Sequence, residues 1–346
     1  MPRPGRATPR YYSSVIGSPR ARALLAASPA IDLHADTLMW VNWFGYDLLG
    51  RHVPPLPKAA FVGHVDVPRM IEGGMGAQFF GLVSLPVTAR ARGPLRAVHE
   101  QIDALDEAIA RRPEKLRKVR TAEEIEASVE AGSVGALLGI EGAHALEGEL
   151  DNLDALVRRG VRYLGLLHFS ANLAGHPAYG RGRSDSEGLS PWGRALVHRC
   201  EERGVLIDLA HINRRGFLEA CAQAKKPPIV SHTGASGAFA HWRNVDDDQL
   251  RAVARIGGCV GVMFCPEYVG GQGLGPVVKH LRHIVDVAGE DTPALGSDWD
   301  GFIVPTKGLS DPLGLPLLVD ALLAEGMPER VVRKIVRQNV MRVLRA

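Results

Sequence analysis

The sequence predicts an α/β fold, a (β/α)8 TIM barrel in a single domain, and three observations carry that prediction. Short apolar runs recur eight times, helical segments separate them, and the runs end repeatedly in a histidine or a carboxylate. The runs are continuous rather than alternating, as expected of parallel strands buried on both faces. Eight β-then-α units close naturally into a barrel whose functional rim lies at the C-terminal ends of the strands. A chain of 346 residues, 46% hydrophobic and 23% charged, is long enough to fill one such barrel.

The opening residues, MPRPGRATPRYYSSVIGSPR, are basic and proline-rich and lack the apolar centre of a secretory leader. Residues 1–25 are therefore expected to form a basic N-terminal arm, and 26–346 the barrel. The first strand is expected at 30–36 (AIDLHAD), where His34 and Asp36 stand two residues apart and so share one face of the strand tip. Further strands are expected at 77–84, 135–141, 161–168, 204–211, 228–232, 259–264 and 293–298. Between them, the spacing of apolar residues predicts helices over Leu95–Arg111, Asp151–Arg159, Ser190–Arg203, Arg214–Lys225, Asp246–Ile256 and Pro276–Val287.

Composition excludes some functions. The formal charge is only +3 and the basic residues are dispersed, apart from an Arg-rich start and the stretch Arg333–Arg345, so no nucleic-acid surface is expected. Cys200, Cys221, Cys259 and Cys265 lie far apart with no C-x-x-C pair, which suits free thiols in a reducing, cytoplasmic setting. No membrane or lipid anchor is expected.

The strand ends carry the chemistry. His34 and Asp36, Glu141, His168, His211, His232 and Asp298 all fall at predicted strand ends and would converge on one rim. So many ionisable groups on apolar strands are costly to desolvate unless paired or bound to metal. Histidines with carboxylates suit zinc, and this set is too large for one tetrahedral site. Two ions sharing a carboxylate, about 3.5–4 Å apart, would use them all; a bridging water then becomes a hydroxide near neutral pH and the carbonyl is polarised. That is machinery for hydrolysing an amide or ester.

The segments IDLHAD, GIEGAHAL, RYLGLLHFSAN, LIDLAH, IVSHTGA, HWRNVDDDQL, GGCVGVMF and GSDWDG resemble, in order, the successive motifs of the renal or membrane dipeptidase family of zinc metallopeptidases. The resemblance covers about residues 30–345. It implies a (β/α)8 barrel with two zinc ions that cleaves dipeptides, often with a D-residue on the C-terminal side, and a homodimer. Residue by residue, it implies that His34 and Asp36 bind one zinc, that His211 and His232 bind the other, and that Glu141 bridges them. Asp298 matches the acid-base aspartate, His168 a donor to the oxyanion, and Arg243 the group that holds the substrate's free carboxylate.

Three departures from the family pattern fall on loops that set specificity. They are Thr37-Leu-Met-Trp40 after the first pair, His168-Phe-Ser-Ala-Asn172, and Phe264-Cys-Pro-Glu-Tyr268. A related metal-dependent hydrolase of another N-acyl amine, lactam or ester, or a non-catalytic metal-binding homologue, therefore stays open. His144 is expected to support the rim rather than bind metal. His52, His64, His99, His176, His198, His280 and His283 are expected to be surface or packing residues. The glycine-rich stretch 270–275 is expected to be an ordinary loop.

Overall fold

The structure, a computed structural model, describes residues 17–51, 60–85 and 93–346. Its strands are β1 (Ala30–Ala35), β2 (Met75–Val83), β3 (Leu116–Lys118), β4 (Val134–Glu141), β5 (Val161–Gly165), β6 (Leu206–Asp208), β7 (Ile229–Thr233), β8 (Cys259–Val262) and β9 (Pro293–Leu295). All the pairings are parallel. The ladder runs β2-β1-β9-β8-β7-β6-β5-β4, and β2 also pairs with β4, which closes eight strands into the predicted barrel. The ninth strand, β3, was not visible as an apolar run. Only Leu116 of it is buried, and it pairs with the first residues of β4.

Inside the barrel Ile31, Leu33, Ala77, Phe79, Leu137, Tyr163, Leu206, Ile229, Cys259 and Ala294 pack together. Val340, Met341, Val343 and Leu344, from the last helix (Asn339–Arg345), join them, so that helix closes one end. A second, larger cluster lies between strands and surrounding helices. The helices fall where the apolar spacing put them: Pro94–Arg111, Asp151–Arg158, Pro191–Glu202, Arg214–Gln223, Asp247–Arg255 and Leu274–Ala288. Serine or asparagine caps set two of the starts, with Ser190 accepting from Gly193 N and Asn213 from Gly216 N.

Two expectations need correction. Several strands are shorter than their apolar runs: β5 stops at Gly165, β6 at Asp208 and β9 at Leu295. His168, His211 and Asp298 thus stand on turns beyond the strands. His211 (φ 66°) and Asp298 (φ 63°) adopt the left-handed conformation, which cannot continue a strand. The division at residue 25 also crosses a helix, Pro19–Ala27, that buries Ala21, Leu24 and Leu25. Ser18 anchors it through its amide and hydroxyl to Asp320, at 2.7 and 2.6 Å. The rest of the expected arm, residues 1–16, lies outside the described residues, as does His52.

Candidate active site

The fold brings His34, Asp36, Glu141, His168, His211, His232, Arg243 and Asp298 to one end of the barrel. Glu141, the last residue of β4, is the hub. Its Oε1 lies 3.0 Å from His211 Nε2, 3.4 Å from His232 Nε2, 3.6 Å from His168 Nε2 and 3.7 Å from His34 Nε2. His34 Nε2 is 3.2 Å from Asp36 Oδ1, and the rings of His34 and His232 stack at 4.0 Å. Possible ligand atoms fall into three overlapping buried groups: His34 with Glu141 and His232; Glu141 with His168 and His211; His34 with Asp36 and Asp298.

Three atoms test whether this set fits a metal. His34 Nε2, Asp36 Oδ1 and Glu141 Oε2 are buried with no hydrogen-bond partner. Such atoms normally carry a cost of roughly 1–3 kcal/mol each, which coordination removes. Asp36 stands at the N-cap of helix Thr37–Phe44 yet makes no side-chain capping bond, so its carboxylate is free for another role. The donor set, imidazoles with carboxylates, fits a divalent ion such as zinc.

The charge balance says the same. Burial pulls His34 down, but Asp36 and Glu141 outweigh it and push the imidazole up to about 10, so the pocket calls for a cation. Burial, reinforced by Asp36, pushes Glu141 well above the usual carboxylate range. Burial, reinforced by Arg243, holds His211 well below the ordinary imidazole value, and burial holds His232 there too. These two rings are neutral, as ligands must be. Burial drives Asp298 up to about 7, where a carboxyl can both take and give a proton near neutral pH.

Neighbours aim the ligands. Ser231 gives its hydroxyl hydrogen to Asp208 Oδ2 at 2.7 Å and so accepts from His232 Nδ1 at 2.9 Å, which leaves the lone pair on His232 Nε2 facing the cluster. On the opposite side Ser297 donates its amide and hydroxyl to Asp32, both at 2.7 Å, and Gln78 Nε2 donates to the same carboxylate at 2.6 Å. His34 Nδ1 meets the Tyr163 hydroxyl at 2.7 Å. Asp32, Asp208, Tyr163 and Ser231 were not picked out from the sequence. A signal existed, since a carboxylate or phenol inside an apolar strand needs a partner. Two glycines leave room: a Cβ at Gly81 would collide with Asp36 Oδ1 and His34 Cε1, and one at Gly139 with the Tyr163 ring.

Arg243 is buried, and it is not spent on the surface acids beside it. Arg214 takes Asp246 and Asp248, whereas Arg243 Nη2 donates to the His232 carbonyl at 2.8 Å and lies 3.2 Å from His211 Nε2. His168 is held near 3 by burial, hence neutral with one N–H to give. His144 stays outside the cluster, its Nε2 2.9 Å from Ser170 Oγ. His64 and His280 are buried and hydrogen-bonded, accepting from the amides of Asp300 and Ala235 at 2.8 Å each.

The family model described as membrane dipeptidase (peptidase family M19) matches residues 18–346. This chain belongs to that family. As a member it is a metallo dipeptidase-like hydrolase, and metal ions are implied for the cluster just described. Among solved structures, a metallo peptidase from Rhodobacter sphaeroides liganded with a phosphinate mimic of L-Ala-D-Ala is 27% identical, with a TM-score of 0.82, over 92% of this chain and 98% of that one. A dipeptidase termed AC, also a family M19 metallo peptidase, is 28% identical with a TM-score of 0.81 over 91% and 97%. An amidohydrolase from Pseudomonas aeruginosa is 26% identical with a TM-score of 0.76 over 94% and 98%. Among the described residues no helix is long and apolar enough to cross a membrane.

Proposed function

We propose that this protein hydrolyses the peptide bond of L,L and L,D dipeptides with two zinc ions held by His34 and Asp36 on one side, His211 and His232 on the other, and Glu141 between them. The observation that carries the reading is the Glu141 hub: four imidazole nitrogens lie within 3.7 Å of one carboxylate oxygen, while its other oxygen has no partner. Bound metal would polarise the scissile carbonyl and acidify a water.

The chain's own residues do the rest. Arg243 anchors the substrate's free carboxylate beside the cluster. His168 donates its N–H to the carbonyl oxygen as charge develops there. Asp298 accepts a proton and returns it to the leaving amine nitrogen. That the Rhodobacter sphaeroides relative binds a mimic of L-Ala-D-Ala supports an L,D substrate.

The test is metal content per chain after purification without chelator, with hydrolysis of L,L and L,D dipeptides before and after metal removal. About two zinc ions and cleavage that disappears with the metal are expected. Two metals without cleavage would discard the dipeptidase activity. Arg243→Ala should mainly raise KM for dipeptides with a free carboxylate. Equal turnover of free and amidated dipeptides would remove Arg243 from its role. Four buried free thiols support a reducing, cytoplasmic location. A homodimer is part of the same proposal, checked by sedimentation.

A further inference from the structure

Beside Arg243 the rim carries a wall of rings that the hydrolytic chemistry does not use. Phe169 follows His168 and its ring sits 4.9 Å from that of His211. Trp242 precedes Arg243 and meets Phe169 edge-on at 6.4 Å. Tyr179 stacks on Trp242 at 4.3 Å, and Tyr268 meets Trp242 edge-on at 5.8 Å. Large rings are normally buried, yet Phe169 is 43% exposed, Tyr179 51% and Trp242 38%. The wall reaches the ligand cluster through the contact of Phe169 with His211, and Trp242 is the residue before Arg243. The four side chains bring no formal charge.

We infer that Phe169, Tyr179, Trp242 and Tyr268 form the subsite for the side chain of the substrate's C-terminal residue, and that the substrates of this enzyme end in an aromatic or large aliphatic residue. The inference rests on the dipeptidase reading and on the anchoring role of Arg243. Trp242 and Arg243 line one pocket together with His211, so a residue whose carboxylate is held by Arg243 would lie beside the Trp242 ring. An aromatic side chain there covers apolar surface on both partners and gains offset or edge-on ring contacts. A charged side chain would lose hydration against the faces of these uncharged rings. The wall works by binding, so its effect appears as a difference in kcat/KM between substrates.

The test uses the full chain loaded with zinc and a series with a constant first residue: Ala-Gly, Ala-Ala, Ala-Leu, Ala-Phe and Ala-Asp, each with an L or D second residue where one exists. The expected order places Ala-Phe and Ala-Leu above Ala-Gly by at least about tenfold in kcat/KM, with Ala-Asp at the bottom. Phe169→Ala and Trp242→Ala should each cut the Ala-Phe to Ala-Gly ratio by about fivefold or more. Tyr179→Ala, at a half-exposed ring, provides a variant with little risk to folding. Reversed order, a ratio near one, or variants that leave the ratio unchanged would overturn the subsite while dipeptide cleavage stood. So would a wild-type dimer that Trp242→Ala turns into a monomer with the ratio intact, since the rings would then serve association. Failure to cleave any dipeptide would overturn the dipeptidase reading and the subsite with it.

Discussion

The two sides of the ligand cluster are built alike and charged differently. Each begins with an aspartate inside an apolar strand, Asp32 in β1 and Asp208 in β6, and each aspartate is satisfied by the hydroxyl and amide of one serine, Ser297 or Ser231. Beyond that shared frame they diverge. The β1 and β9 side presents His34, Asp36 and Asp298, where carboxylates push His34 up to about 10. The β6 and β7 side presents His211, His232 and Arg243, where burial and the guanidinium keep the imidazoles neutral. The same scaffold thus makes one side crowded with carboxylates and another where a guanidinium stands beside neutral imidazoles. The proposed reaction uses that asymmetry: Arg243 would grip the substrate carboxylate on one side while Asp298 would carry a proton to the leaving nitrogen from the other.

The comparison breaks most decisively at the residue common to both sides. Glu141→Gln should empty both halves, with kcat/KM falling by about a thousandfold or more and metal content falling together with it. A variant that keeps its metal and its activity would show the halves to be independent. Next, Gly81→Ala should damage one side alone. The added methyl meets Asp36 and His34, so one ion should be lost or bound about a hundredfold more weakly, while the ion on the β6 and β7 side stays. Metal titration followed by calorimetry separates the two, and equal loss of both ions would contradict the division.

The serine frame offers a finer distinction. Ser231→Ala frees His232 Nδ1 and should lower metal affinity or activity by about ten- to a hundredfold. Ser297→Ala leaves Asp32 short of a donor and should act on stability instead, by roughly 1–3 kcal/mol in urea unfolding, because the Ser297 hydroxyl bonds Asp32 and the His34 carbonyl rather than a candidate ligand side chain. The smallest effect is a pH response on the β7 side. Buried His280 has its imidazole lowered from 6.5 to about 4 by burial, and it accepts from Ala235 N in neutral form. The fold disfavours its charged form, so stability is fully present above about 6.5 and declines as pH falls toward 4. Unfolding free energy should drop by about 2 kcal/mol between pH 7 and 5, and His280→Gln should flatten that slope.

Much of this site was legible from residue types at the ends of apolar runs. His34, Asp36, Glu141, His168, His211, His232 and Asp298 stood out because charged or metal-binding groups on buried strands demand partners. Arg243 came only through the family resemblance, since an arginine among aspartates reads equally well as a surface pair. The supporting shell was partly readable: Asp32 and Asp208 interrupt apolar strands, but nothing in the sequence names Ser297 and Ser231 as their partners across the sheet. The aromatic wall was only partly legible: Phe169, Trp242 and Tyr268 fall in stretches the sequence singled out, but these rings and Tyr179 come from three connections, after β5, β7 and β8, with no common spacing.

What the sequence determined by itself was the order of apolar runs and helices, hence a closed parallel barrel, and the chemistry gathered at its rim. Periodicity and desolvation act locally, so they can be read along the chain. The tertiary structure decided which oxygen of Glu141 faces four imidazoles, that Arg243 turns inward, and that rings from distant loops meet beside it. Those outcomes depend on barrel closure, which brings residues far apart in sequence within hydrogen-bonding distance, and on the left-handed turns at His211 and Asp298 that aim their side chains once the strands have ended.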